Sequence, residues 1–366
     1  MSTTGFTVSQ IADAIGAQAF GDMEIRILRA AEPKDAGADD LALAMQPKYA
    51  GGLSAGAARA AILWDGADWE ALGLKAAIIP KRARYAMSGL TRMLDPRQGF
   101  APGIDPSAII DPTADIGTDV SVGPFTVIGA GAKIGPGSVI GPQCFIGQNA
   151  VLGEGAYLRD HVTIGARVHI GSRFIANPGA RVGGDGFSFV TPEKSDVEKA
   201  RETLGEGHES TAQAWARIHS LGAVNLGDDV EIGSNSNIDY GTIRDTVVGN
   251  GTKIDSLVHV GHNCVIGNDC LLCGLVGLAG SVQVGNNVVL GGQVGVSDNI
   301  FIGDGVIAGG GSKILSNVPA GRAVLGFPAT KMDQQIQSYK SQRRLPRLIE
   351  DVTALKKAVF KPRDSD

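Results

Sequence analysis

The stretch Ile128-Gly129-Ala130-Gly131-Ala132-Lys133-Ile134-Gly135-Pro136-Gly137-Ser138-Val139-Ile140-Gly141-Pro142-Gln143-Cys144-Phe145-Ile146 decides the fold. An aliphatic residue recurs at every sixth position, glycine follows it, and a small residue stands four places after it. Working outward, the register runs from Ile104 through Ile116, Val122, Leu152, Leu158 and Ile170 to Val182, with Ala176 a weak member. It returns at Leu226, Ile232 and Ile238, slips once between Thr242 and Thr246, and continues from Val248 to Ile314. A helical period of 3.6 cannot produce this spacing, whereas short strands joined by corners can. Each hexad then makes one strand and one corner, three hexads close a triangular coil, and each inward aliphatic stacks on its counterpart one coil away. Parallel strands lie about 4.8 Å apart, so some ten coils build a prism roughly 45 Å long.

The chain is 366 residues long, and its flanks depart from the hexads. Residues 1–100 read as a small α/β domain. Thr7 to Gly16 looks like a capped helix ended by glycine, and Ala60 to Trp64 and Ala76 to Pro80 look like buried strands. Residues 101–320 are the prism, interrupted at about 183–225. That insertion opens on Gly183-Gly184-Asp185-Gly186-Phe187, passes through a charged stretch from Glu193 to Glu209, and closes on Trp215-Ala216-Arg217-Ile218. A loop this long inside a solenoid is usually functional or mobile; its ends read as functional and its charged middle as mobile. Residues 321–366 form a helical extension, with Leu345, Leu348, Val352, Leu355 and Val359 at seam spacing. Pro346 should kink or divide it. Lys340, Arg343, Arg344 and Arg347 form a basic patch on a chain of net charge −5, either a solvated face or a dock for an acidic partner.

The acidic balance excludes a general nucleic-acid footprint. Neither a signal peptide nor a membrane-length apolar run is evident, so a cytoplasmic location is the expectation. Glycine is abundant, 52 residues, and aromatics make up only 5%, which suits a tightly coiled backbone. Cys270 and Cys273 spell C-x-x-C, a zinc or redox signal in isolation. The register argues otherwise, because Cys144, Cys264 and Cys270 all fill the small-residue slot, so no metal site is expected.

Of six histidines, His161, His169, His208 and His219 have no polar company. His259 and His262 stand in Asp255-Ser256-Leu257-Val258-His259-Val260-Gly261-His262-Asn263. Register puts His262 two residues after an inward aliphatic, at an outward corner, with Gly280 in the same slot one coil above. A neutral imidazole beneath an exposed backbone N–H suits acyl transfer: the histidine takes a proton from the nucleophile and the N–H stabilises the oxyanion. Asp255, one corner earlier, is a candidate to hold the imidazole tautomer. A corner histidine with incidental neighbours remains the competing reading.

The whole chain resembles the UDP-3-O-(3-hydroxyacyl)glucosamine N-acyltransferases of lipid A synthesis, the LpxD family of hexapeptide-repeat acyltransferases. The residues that carry the resemblance are Gln46-Pro47-Lys48-Tyr49, Gly184-Asp185-Gly186-Phe187, Ile238-Asp239 with Gly241, Asp245-Thr246 through His262-Asn263, Gly291-Gly292-Gln293-Val294-Gly295, and the C-terminal helix. The resemblance implies a left-handed parallel β-helix, a uridine-binding N-terminal domain and a homotrimer with active sites between prisms. It implies that an acyl carrier protein presents a 3-hydroxyacyl thioester on its phosphopantetheine arm to the 2-amine of a UDP-3-O-acyl-glucosamine, with no other cofactor. By motif position His262 resembles the general base, Asp255 its partner and Gly280 the oxyanion donor. Tyr49, Gln46, Leu43, Asp239, His259, Asn263 and Asn299 are then substrate-binding candidates, and the basic patch a carrier contact. The chain departs from the family pattern at Leu43 (usually Phe), at Tyr240 (usually Arg) and at Asn299 (commonly His). The alternatives are another sugar N- or O-acyltransferase on the same prism, CoA-dependent or acting on a diamino sugar nucleotide, and a non-catalytic β-helix scaffold. A three-histidine zinc site is disfavoured because His259 and His262 have no obvious third partner.

Overall fold

The computed structural model describes residues 5–203, 206, 212–326 and 329–359; His208 and Phe360 lie outside these. The chain divides into two compact units, Met1–Gly99 and Phe100–Asp366.

In the first unit, helix α1 (Val8–Ile15) begins on a capping box between Thr7 and Gln10 and ends on Gly16 in the left-handed region, φ 63°. The cap satisfies orphan N–H groups at one end, and glycine adopts the positive φ without a Cβ penalty at the other. A five-stranded sheet follows in the order Gln18–Gly21, Ala76–Ile79, Ala60–Leu63, Asp40–Ala44, Arg29–Ala31. Alternation along the strands splits the core. Ala60, Ile62 and Ile78 pack with α1 and helix α2 (Ala83–Leu94), while Ala61, Leu63 and Ala77 face a second cluster containing Leu74 and Trp69.

The second unit is a parallel β-solenoid whose three faces carry ten, ten and nine strands among the described residues. Most strands are two residues long, the first outward and the second buried, as in Val139–Ile140 and Lys253–Ile254. Partners stack in register: Val122 on Ile140, Ile140 on Leu158, Leu158 on Ala176. The weak member Ala176 is fully buried and pairs with Ile232 across the insertion, so the register survives the interruption. The corners supply their own bonds. Thr126 Oγ1 donates to the Gly141 carbonyl at 2.7 Å, and Cys144, Cys264 and Cys270 do the same with Sγ at 3.0–3.1 Å. These three cysteines are buried, as their slot predicts, and burial pushes the thiols of Cys144 and Cys264 up to about 11 and about 12. They are small core residues with no thiolate to offer.

Along one corner an Asx ladder runs through Asp228, Asn250, Asn268, Asn286 and Asp304. Each side-chain oxygen accepts the backbone N–H of the residue one coil below, at 2.7–2.9 Å. Many corners also hold a non-glycine residue at positive φ, including Leu257 (60°), Asn263 (62°) and Leu275 (64°). That conformation costs a branched side chain about 1–2 kcal/mol, and the ladders above and below enforce it.

Two expectations change in detail. The charged part of the insertion is not wholly without structure: Asp196–Thr203 is a helix, α3, with Ser195 and Glu198 forming its capping box. The prism also runs further than the hexads, because Ala323–Val324 pairs with Ile307–Ala308. Beyond it lie α4 (Met332–Gln342) and α5 (Leu345–Val359). The break falls at Arg343-Arg344, and Pro346 sits in the first turn of α5, where its missing N–H removes no helix bond.

The strand alternation predicts unequal sensitivities at adjacent residues. Ile140→Ala should lower the stability of the prism by about 2–5 kcal/mol, because the stacked coils cannot collapse into the void. Val139→Ala, on the outward position, should cost less than half as much. The shift of the denaturation midpoint measures both.

Candidate active site

One corner of the prism breaks the repeat in successive coils. The strand Arg181–Gly184 leads into the long insertion, Asn237–Asp239 stacks on it and leads into the Thr242–Thr246 slip, and His259–Val260 stacks next and leads into His262. Gly277–Leu278 follows and leads into Gly280. The irregularities therefore converge on a single column.

His262 is half-buried there between two glycines. A Cβ on Gly280 would fall 2.6 Å from Cε1 and 2.7 Å from Nε2 of the imidazole; one on Gly186 would fall 2.8 Å from the His262 Cβ. Only glycine permits this sandwich. The slot of His262 and Gly280 is filled by proline at Pro136, Pro142 and Pro178 in other coils, so the coil does not need the N–H there. Among the described residues the Gly280 N–H has no acceptor.

The imidazole is held by Asn263. Its Oδ1 lies 2.8 Å from His262 Nδ1 and also accepts the Thr242 N–H at 3.1 Å. Its Nδ2 donates to the Arg244 carbonyl, which fixes the amide with oxygen toward the histidine. The Asn263 N–H donates to Thr246 Oγ1, and the Arg244 guanidinium donates to the Asn263 carbonyl. An amide oxygen only accepts, so the neutral ring carries its proton on Nδ1 and leaves the Nε2 lone pair free beside Gly280. The slip that looks like an error in the repeat is the cradle for Asn263. Asp245 pins that loop by accepting from the Ala223 N–H and from Asn225 Nδ2.

Within the chain the partner of His262 Nδ1 is Asn263 and not Asp255. Asp255 occupies the preceding corner, where its carboxylate accepts the Ser256 and Gly274 N–H groups at 2.7 and 2.9 Å. It lines a separate groove of about 380 Å³ with Glu231, Lys253 and Cys273. Sequence spacing could not separate the two corners' partners, since a six-residue period places Asp255 and His262 in neighbouring hexads without saying which side chains turn toward each other.

Asp239 is buried 3.6 Å from His259 Nε2 and accepts from Asn237 Nδ2 at 2.6 Å. Burial pushes its carboxyl above the usual range; the Asn237 hydrogen bond and the nearby His259 and His262 pull the other way. Asp239, His259 and His262 therefore share one electrostatic cluster. Asn299 is exposed one coil beyond Gly280; its N–H donates to the Gly280 carbonyl and its amide to Asp298. Tyr240 turns inward and is buried. Its ring packs on Gly165 and Gly183, its hydroxyl donates to the Ala166 carbonyl at 2.8 Å, and Arg167 stacks 5.6 Å from the ring centre.

In the N-terminal unit Leu43 is a partly buried member of the sheet core, and Gln46 and Tyr49 are exposed in the turn after its strand, with the Lys48 ammonium 4.8 Å from the Tyr49 ring centre. Lys340, Arg343, Arg344 and Arg347 cluster, exposed, around the α4–α5 junction. Sequence reasoning missed Gly186 and the Thr242–Arg244 carbonyl and N–H contacts, because backbone groups leave no pattern in side-chain spacing.

Residues 113–148 match the bacterial transferase hexapeptide family (six repeats). A UDP-3-O-acylglucosamine N-acyltransferase of Ruegeria pomeroyi is 66% identical to the chain over 361 residues, covering 99% of each. One of Paracoccus denitrificans is 66% identical over 259 residues, 71% of each. Among solved structures, an Arabidopsis UDP-N-acetylglucosamine acyltransferase aligns with a TM-score of 0.51 at 23% identity, over 72% of this chain and 85% of that one. It is a likeness of fold.

The hydrogen-bond network makes a direct prediction about the imidazole. Ring ¹⁵N NMR of the neutral protein should find the His262 proton on Nδ1, and Asn263→Ala should shift it toward Nε2. A wild-type ring protonated on Nε2 would overturn the assignment.

Proposed function

The chain belongs to the UDP-3-O-acylglucosamine N-acyltransferase family, and from that premise we propose that His262 is its general base and the Gly280 N–H its oxyanion donor. The observation that carries the assignment is the free Nε2 of an Asn263-anchored imidazole lying against Gly280. The enzyme is an N-acyltransferase of the hexapeptide-repeat type. The donor in this reading is a 3-hydroxyacyl thioester on the phosphopantetheine arm of an acyl carrier protein.

Nε2 takes a proton from the glucosamine 2-amine as its nitrogen attacks the thioester carbonyl. The C–N bond forms, and the oxygen gains the negative charge that the Gly280 N–H stabilises. Collapse breaks the C–S bond, and the imidazolium returns its proton to the departing thiolate. Asp239 and His259 supply a polar wall for the sugar and its phosphates. Asn299 extends that wall by one coil. Tyr49 offers an exposed ring face for uracil with Lys48 beside it for phosphate, and Gln46 and Leu43 border the same strand end.

A homotrimer is supported by what a single chain leaves uncovered. Leu345, Leu348, Val352, Leu355 and Val359 are all exposed along α5, and no residue of α4 or α5 is buried. Helices of this length are marginal alone in water and call for a packed apolar face. A threefold contact is heterologous, so the His262 corner of one copy must meet a different surface of the next. The Asp255 groove is our candidate for that surface, which gives Asp255 its place in the site. The four cations at the α4–α5 junction suit an acidic carrier protein. Among the described residues no helix is long and apolar enough to cross a membrane.

His262→Ala should keep the oligomer, seen by light scattering, and lower kcat by about 10³-fold, within the range of lost general-base catalysis. Full activity in this variant would remove His262 from the mechanism. Replacing Lys340, Arg343, Arg344 and Arg347 together with Ala should raise KM for the carrier thioester with little change in kcat. The gap from wild type should close as salt is added, because these charges are solvent-exposed and screened.

A further inference from the structure

The long insertion returns to the prism through Ser220, whose hydroxyl sits where the two arms of the insertion and the Thr242–Thr246 slip meet. On the outgoing arm the Gly184 carbonyl accepts the Tyr240 N–H at 2.7 Å, and the Gly186 N–H donates to Ser220 Oγ at 3.0 Å. The arms pair beyond that point: the Ile218 N–H donates to the Ser188 carbonyl, and Phe189–Val190 runs antiparallel to Ala216–Arg217. Directly after Ser220 the chain docks on the slip. The Leu221 N–H donates to the Thr242 carbonyl at 2.8 Å, and the Gly222 N–H to the Gly241 carbonyl at 3.0 Å. Ser220 is half-buried, and its bond to Gly186 spans 34 positions of chain.

Two lines of contact lead from this joint to His262, and they meet the ring on opposite edges. Through Gly186, the backbone lies against the Cβ–Cγ–Cδ2 edge: an added Cβ would fall 2.8, 3.2 and 3.3 Å from those atoms. Through Leu221, Thr242 is held by its carbonyl and in turn donates its N–H to Asn263 Oδ1, which faces Nδ1 on the other edge. The Cβ–Cγ torsion of a histidine is broad and roughly twofold, so neighbours must choose the ring's orientation. A half-turn about that bond would exchange Nδ1 with Cδ2 and Nε2 with Cε1, leaving a carbon where the lone pair stands. We propose that Ser220 is a positioning residue for the transfer: by joining Gly186 to the segment that secures Thr242, its hydroxyl holds the imidazole in the orientation that aims Nε2 at the reacting amine. The inference rests on His262 as general base. Among the described residues Ser220 has no hydrogen bond to the imidazole, so its effect passes through Gly186 and Thr242.

The test compares wild type, Ser220→Ala and Ser220→Thr in kcat, KM and the ring ¹⁵N spectrum of His262, once circular dichroism and light scattering establish fold and oligomer. Threonine keeps the hydroxyl acceptor and alanine removes it. Ser220→Ala should lower kcat about 10–100-fold, the scale of a misplaced catalytic group, and leave KM for donor and sugar within about twofold. Its His262 ring should lose the single Nδ1-protonated form, and Ser220→Thr should restore both readouts. Ser220→Cys, a weaker acceptor of similar shape, should fall between them and carries the comparison if the alanine variant does not fold. Added to His262→Ala, Ser220→Ala should cost nothing further, because it acts only through the base. Folded variants with wild-type kcat and ring spectrum overturn the proposal. So do losses that persist in full on the His262→Ala background or that appear in KM alone. A fully active His262→Ala overturns instead the general-base reading beneath it.

Discussion

The stacking of one buried aliphatic on another, one coil apart, is the constraint on which the rest of the structure depends. A two-residue strand has too few hydrogen bonds to hold itself. It persists because its carbonyl and N–H groups pair with the coils on either side while its side chain fills the axis of the prism. Stability of this kind is a sum of neighbour-to-neighbour terms. Anything that leaves the prism at a corner and returns in step therefore costs the core little. The pairing of Ala176 with Ile232 and of Ile232 with Ile254 shows both departures doing so.

That economy explains what was legible in the sequence and what was not. The prism follows from Ile128 to Ile146 alone, and the same count places Gly280 on His262 without any coordinate. The N-terminal helix was equally open to reading, because Thr7, Gln10 and Gly16 are capping chemistry written locally. The partner of His262 was not. Asp255 is the obvious carboxylate by proximity in sequence, yet the imidazole is held by the adjacent Asn263, whose orientation depends on the backbone of Thr242 and Arg244. Side-chain periodicity carries no trace of a carbonyl's direction. Gly186 escaped for a related reason: it contacts His262 only because a long insertion leaves the prism in the same column. Tyr240, a departure from the family pattern by sequence, proves to be packed on Gly165 and Gly183.

The electrostatics of the corner follow from its burial. Asp239 lies in the wall of the prism, where its carboxyl is pushed up by desolvation while Asn237 and the two histidines draw it down. The same desolvation acts on the buried thiols. Burial moves them far from reactivity, and they serve as slightly larger versions of the threonine and serine that share their slot.

The slip at Thr242–Thr246 has a further consequence for how the chain finds its own alignment. A run of near-identical hexads is degenerate: sliding one segment along another by a whole coil would bury an equally good set of aliphatics. The extra loop, and the long insertion beside it, have no counterpart at any other coil, so a displaced alignment would leave them with no place to dock. Asn263 meets Thr242, Arg244 and Thr246 in one alignment only. The irregularities therefore act as a key cut into an otherwise uniform shaft, and the His262 corner doubles as the mark by which the polypeptide counts its turns.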